Sequence, residues 1–325
     1  MRQLWNLRSI GIVATLFTAA ACGSSGRHAT TTTSNASPTT TNTQSAVASS
    51  IPSTAAEPTS TETAQPSTSA SVASADGTVG IVALGHSALT GENSSDTSPG
   101  RAAYANSWAT GASPAVNSIY LRLLAVRPDT KGHVANEAVG GAVASSLPEQ
   151  ANSALRKVTK PQLVIIETID NDIRCDGTDQ THIPELGASV AEALKVITAA
   201  SPNSKILLVG QFGRPDATYI EHLVAAHPEL KPSMQGTGPC DSFDPSGNIN
   251  QQGIATLTGI IDAYEAEENR VCAQVPRCAN DGGVRKQWVD HLDWYSSDFG
   301  HLNVTGLAHV AEQLWPVVQQ LLKLS

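Results

Sequence analysis

Near its C-terminus the chain reads Ser-Asp-Phe-Gly-His-Leu-Asn over residues 297–303, which sets Asp298 and His301 three positions apart. An Asp-x-x-His pair on a short loop can close on itself. The carboxylate accepts from one imidazole nitrogen and leaves the other nitrogen as a base. That supplies two members of a Ser-His-Asp triad. The spacing alone arises often by chance, and it gains weight from Ser87, far upstream in Val-Ala-Leu-Gly-His-Ser-Ala-Leu-Thr-Gly-Glu (82–92). A serine hydroxyl is a poor nucleophile until a neighbouring base takes its proton. Together the three residue types point to acyl transfer.

Such residues need a scaffold that brings them together, and the chain alternates strand-like and helix-like segments. Residues 78–84 are an apolar run ending at Gly85, 133–139 a weaker one, 163–169 the strongest, and 205–209 another, bounded by Gly210. Between and after them, helical spacing predicts a helix starting near Pro184 with Leu186, Val190, Leu194 and Ile197 on one face. Further helices are predicted near 217–226, around Ile254, Leu257, Ile261 and Tyr264 toward Cys272, and over 304–324, where Pro316 predicts a kink. Strands that are apolar throughout and separated by helices imply a parallel sheet covered on both faces, a three-layer α/β/α sandwich. Ligands bind outside the carboxyl ends of such strands, which is where Ser87 and Asn171 fall.

The N-terminus speaks to compartment. Arg2 and Arg8 precede an apolar run from Ile10 to Ala21, too short to span a bilayer as a mature helix, followed by Cys22. We read 1–21 as a signal peptide and Cys22 as a lipidated cysteine in an imperfect lipobox, Ala19 standing where leucine is usual; plain secretion is the alternative. The chain has five cysteines. With Cys22 acylated, Cys175, Cys240, Cys272 and Cys278 form an even set suited to an oxidising compartment. Cys272 and Cys278 enclose a short loop and are expected to pair, leaving Cys175 with Cys240, although four cysteines allow three pairings. Residues 22–75 are almost wholly Ser, Thr, Ala and Pro and read as a disordered tether. Residues 76–325 suffice for one domain with a full core. These features predict an anchor on the extracytoplasmic face of the cell membrane. The net charge is −9, and no Lys/Arg cluster follows the signal, so nucleic acid is not expected as a partner.

In block order and spacing the chain resembles the SGNH (GDSL-like) hydrolase family over nearly the whole domain. Gly85-His86-Ser87-Ala88 stands at the Gly-Asp-Ser-Leu block, Asn136 to Gly141 at the Asn-x-Ala-x-x-Gly run, Ile169-Asp170-Asn171-Asp172 at Gly-x-Asn-Asp, and Asp298 with His301 at Asp-x-x-His. The resemblance implies Ser87 as nucleophile, His301 as base and Asp298 as its orienting group. It also implies an oxyanion hole from the backbone N–H groups of Ser87 and Gly141 and the amide of Asn171. A flavodoxin-like fold follows, with a monomeric enzyme that needs no metal or cofactor. Its substrate would be an ester, either a lipid or an acylated glycan. The alternative is a surface-binding lipoprotein on the same scaffold. Two positions depart from the pattern: His86 replaces the aspartate before the serine, and Ile169-Asp170 replace small residues before Asn171.

Plainer roles stand beside these. Ser87 could cap a helix, Asn171 a turn, and Gly140-Gly141 could serve a tight turn alone. Asp170, Asp172 and Asp176 read as solvated turn residues rather than a cation loop. His133, His182, His222, His227 and His291 show no ligand spacing and read as structural or exposed. Trp108 and Tyr104 are expected in the core.

Overall fold

The computed structural model describes residues 77–95 and 100–324. The signal peptide, Cys22 and the tether lie outside the described residues. Five strands form one parallel sheet: β1 (Ile81–Gly85), β2 (Val134–Asn136), β3 (Leu163–Glu167), β4 (Lys205–Val209) and β5 (Cys278–Asn280), in the order β2-β1-β3-β4-β5. The order reverses between β1 and β3, and a crevice opens at such a switch point beyond the strand ends.

Helices α1 (Ser87–Thr90), α2 (Ile119–Val126), α3 (Leu147–Lys157), α4 (Asp179–Ala200), α5 (Ala217–Ala226), α6 (Gln251–Cys272) and α7 (Val304–Leu322) complete the described fold. Strand side chains alternate with period two, and this sorts the core into two layers. Val82, Leu84, Val164, Ile166, Ile206 and Leu208 pack with α3, α4 and α6 on one face. Ile81, Ala83, Leu163, Ile165, Leu207 and Val209 pack with α2 and α7 on the other. This is the expected three-layer sandwich. Among the described residues no helix is long and apolar enough to cross a membrane.

Several boundaries differ from the sequence reading. The weak second strand shrinks to three residues, because past Asn136 the chain turns into the Gly140-Gly141 loop. The helix expected near Pro184 begins at Asp179, so the proline sits inside it. Tyr104 is not a core residue; it is 45% exposed and donates to the Ala138 carbonyl at 2.9 Å. Trp108 is buried as expected. Both expected disulfides are present, Cys175–Cys240 and Cys272–Cys278, the first closing a separation of 65 residues.

Candidate active site

The turn that carries Ser87 is fixed by its glycine. Gly85 takes φ +142°, and a Cβ there would stand 1.9 Å from the Glu167 carbonyl oxygen of the neighbouring strand. Only glycine lets β1 and β3 approach so closely while the chain turns. Gln150 of α3 clamps the same residue, accepting from its N–H at 2.6 Å and donating to its carbonyl at 3.0 Å. Immediately after, His86 rather than Ser87 caps α1, its Nδ1 accepting from the Ala88 N–H at 3.3 Å. Ser87 is thereby the first helical residue, and its N–H has no carbonyl within the helix to meet. Its Oγ is buried and makes no hydrogen bond among the described residues.

Asp298 and His301 form the pair that their spacing predicts. Nδ1 of His301 lies 2.7 Å from Asp298 Oδ2, while Oδ1 accepts from the N–H groups of Gly300 and His301, each at 3.1 Å. Burial pushes the Asp298 carboxyl up, but the hydrogen bonds and charge of His301 and the two backbone donors outweigh it, and the group stays ionised below its ordinary range. Phe299 adopts φ +53° to close the loop. Asn303 then caps α7 through Gly306 N–H and donates to the Asp293 and Tyr295 carbonyls. The pair is therefore mounted on a fastened helix start.

Ser87 and His301 line one cleft, together with Trp108, Phe212, Arg285, Gly300 and Leu302. Its free volume is about 20 Å³, room for one water or so. The remaining candidates adjoin this turn. Val139 N–H donates to the Gly85 carbonyl, and Ala142 N–H closes a turn onto Val139 with Gly141 at φ +75°. Asn171 is not merely a turn cap: its Nδ2 reaches across to the Ala142 carbonyl at 3.0 Å, using one of two amide hydrogens. Asn136, in the same sequence block as Gly141, ties this loop to α1 by donating to the Leu89 carbonyl at 2.8 Å.

The sequence matches the GDSL-like Lipase/Acylhydrolase family over residues 81–314, well over half of the chain. The chain belongs to this family. It is accordingly an ester hydrolase. Among solved structures, it is similar to an extracellular lipase from Streptomyces rimosus at 14% identity, covering 74% of this chain and 99% of that one, with a TM-score of 0.45. A phospholipase A1 from Streptomyces albidoflavus follows at 13% identity, 75% and 99% coverage and 0.43. An acetyl xylan esterase from Butyrivibrio proteoclasticus gives 12%, 75%, 64% and 0.43. Comparison with curated proteins finds no match.

Both departures of this GDSL-like hydrolase have a physical setting. Ile169, at the position of the motif glycine, is fully buried and takes φ +91°, so the backbone keeps a shape that suits glycine. Asp170 beside it accepts from Gln211 Nε2 at 3.0 Å, which gives its carboxylate a partner. His86 is buried; burial pushes its pKa down, the Asp170 charge pulls it up, and His301 pushes it down again. The net shift keeps a second imidazole neutral next to the site. Asp172 accepts from Ala144 N–H and Thr168, and Asp176 from Thr178. Of the other histidines, His182 pairs with Glu185, His227 with Glu229, and His291 packs at a tilt against Trp294.

Sequence reasoning passed over Arg285 and Glu167. Arg285 is buried in the cleft wall, 4.9 Å from the Trp288 ring centroid and 5.4 Å from that of Phe212. Glu167 ends β3 beside Gly85; burial pushes its carboxyl up to about 7, although the Arg285 charge pulls it down.

Proposed function

We propose that this protein is a cell-envelope serine esterase that cleaves carboxylic esters of small acyl groups. One observation carries the reading: Ser87 and His301 line a single cleft, and the histidine is held through Nδ1 by Asp298. With Nδ1–H committed to the carboxylate, Nε2 is the basic nitrogen. It takes the Ser87 proton as Oγ attacks the ester carbonyl, and returns it to the departing alkoxide. In apo enzymes the serine–histidine contact is often open and tightens when substrate fills the site. The oxyanion would be met by the N–H groups of Ser87 and Gly141 and by the amide hydrogen of Asn171 left over from Ala142.

The narrow cleft supports acetyl-sized acyl groups over long chains, since a long chain would have to displace Trp108 or Leu302. An acylated envelope glycan is the substrate class that fits best. The location rests on the sequence of residues 1–75, with Cys22 as lipid anchor; a diacylglyceryl cysteine supplies the two chains that stable anchoring needs. Cys22→Ser would release the protein to the medium or block its maturation, leaving esterase activity intact.

The test is covalent. A fluorophosphonate probe should label the purified protein on Ser87, as read by peptide mass, and Ser87→Ala should abolish both label and hydrolysis of p-nitrophenyl acetate. A folded protein that neither labels nor hydrolyses would instead support the reading of a surface-binding lipoprotein on a hydrolase scaffold.

A further inference from the structure

On the far side of β4 from the catalytic cleft lies a cavity of about 340 Å³. It opens where the chain leaves β4 and β5, against α6. Its wall carries Glu265, Glu268, Asn269, Asn280 and Asp281, with Gly282 and Gly283, and no Lys or Arg. Most of these polar groups are already engaged. Glu265 pairs with Arg214 and accepts from Gln211 N–H; Asp281 accepts from the N–H groups of Gly210, Gly283 and Arg285; Asn280 donates to Asn269.

Glu268 is the exception. It is 3% exposed, faces this cavity, and forms no hydrogen bond or ion pair among the described residues. The Glu268 carboxyl opens onto the cavity without a protein partner among the described residues, so its partner is whatever fills that cavity. The sign of the wall says the occupant is a cation. Its size follows from the cavity, which holds several times the roughly 30 Å³ share of one water. Among the described residues no three carboxylates or imidazoles converge as the ligands of one metal ion. A bare metal would be both too small and too poorly coordinated.

We propose that this cavity binds a small organic cation carrying a primary ammonium group, with Glu268 as its charge partner. An ammonium has three N–H donors. One would go to Glu268, and the others to the spare lone pairs of the Asn269 and Asn280 amide oxygens. Burial, and then the like charges of Glu265, Asp172, Asp281 and Glu167, hold the Glu268 carboxyl well above its usual range. Arg214 and Arg285 are the nearby cations: Arg214 pairs with Asp262 and Glu265, and the Arg285 guanidinium lies over the Phe212 and Trp288 rings in the cleft wall. Binding an ammonium therefore ionises Glu268 and releases a proton. The cavity wall also touches the catalytic side by two routes: Gln211 bonds Glu265 through its N–H and Asp170 through its side chain, and Arg285 of the cleft donates its N–H to Asp281.

The experiment is calorimetric titration of the purified full-length protein with putrescine, with 1,4-butanediol as the uncharged control and calcium chloride as the metal control. Putrescine should bind and butanediol should not. The heat should change between buffers of different ionisation enthalpy by the equivalent of one proton. Glu268→Gln copies the shape of the protonated acid; it should fold, keep p-nitrophenyl acetate hydrolysis, and weaken putrescine binding at least tenfold. Three results would overturn the proposal: no response of the wild type to millimolar putrescine, equal binding by Glu268→Gln, or binding of calcium with the diamine inert. None of these outcomes depends on the assignment of Ser87.

Discussion

Replacing Asp298 with asparagine separates the chemistry of the pair from its geometry. The wild-type carboxylate has two tasks: Oδ2 receives Nδ1–H of His301 at 2.7 Å, and Oδ1 holds the Gly300 and His301 N–H groups at 3.1 Å. Asparagine keeps an acceptor for the backbone but presents an NH₂ group to Nδ1. Two donors cannot face each other, so the ring adopts the other tautomer, with its proton on Nε2. The base is then lost while the loop survives. The expected fall in kcat is about 10⁴-fold, or about 5.4 kcal/mol of transition-state stabilisation at 1.36 kcal/mol per decade. The stability effect has a definite sign. Asp298 is held below its ordinary range in the folded protein, so its contribution is present above the carboxylate range and is lost on acidification. The wild type should exceed the variant modestly in urea at neutral pH and converge with it in acid. Steady-state hydrolysis of p-nitrophenyl acetate, with circular dichroism to confirm folding, is the assay. A folded variant retaining more than a tenth of wild-type kcat would refute the assignment of His301 as a base oriented by Asp298.

Asn171→Ala should lower kcat by roughly 10²–10³ with little change in KM, as for one oxyanion donor; an unchanged kcat would remove Asn171 from the site. Ile169→Ala should cost about 2–5 kcal/mol for lost burial. Going on to glycine would ordinarily cost about 1.5 kcal/mol more in burial and chain entropy, but at φ +91° relief of the left-handed backbone returns about 1–2 kcal/mol. The two variants should therefore unfold at nearly the same urea concentration. Glu167 titrates at about 7 in the folded state against an ordinary 4.5, so the wild type loses stability as pH rises between those values, by roughly 3 kcal/mol at 1.36 kcal/mol per pH unit. Glu167→Gln should remove that loss, and parallel urea–pH profiles for the two proteins would count against a buried, protonated Glu167.

What could be read from the chain depended on how much signal each element carries in its own residues. β3 and β4 each hold a run of four large aliphatic residues, and α7 repeats Leu307, Val310, Leu314 and Val318 at helical spacing. Those elements are legible. α3 was passed over although Leu147, Ala151, Ala154 and Leu155 recur at helical spacing, because two of the four are alanines and the helix has only 11 residues; with it went Gln150, the clamp on the Ser87 turn. β5 has three residues and one strand neighbour, too little to register as a run. Glu268 had a signal that went unused. The face Leu257, Ile261, Tyr264 continues by helical spacing to Glu268 and Cys272, so a carboxyl falls on the buried side of α6. Arg285 lies outside any periodic segment, and only the folded chain brings it under Phe212 and Trp288.

The two departures from the family pattern bear on the same question, namely whether this site is built for turnover. A carboxylate next to an oxyanion hole opposes the charge that develops there. Asp170 is instead bonded to Gln211, which is itself anchored through its N–H to Glu265, so its field is partly met by a fixed donor. A charged imidazole at position 86 would repel positive charge on His301; burial keeps His86 neutral, and its Nδ1 is spent on capping α1. Ile169 carries the unfavourable φ that the motif glycine would carry without strain. Strain of this kind costs on the order of 1–3 kcal/mol and persists only where the surroundings over-determine it. Here the surroundings are the core packed around Ile169 and the Asn171–Ala142 and Asp172–Ala144 hydrogen bonds to the loop after Gly141. The Asn171 amide meets the Ala142 carbonyl, one residue past Gly141, so the backbone held at Ile169 helps set where that amide lies.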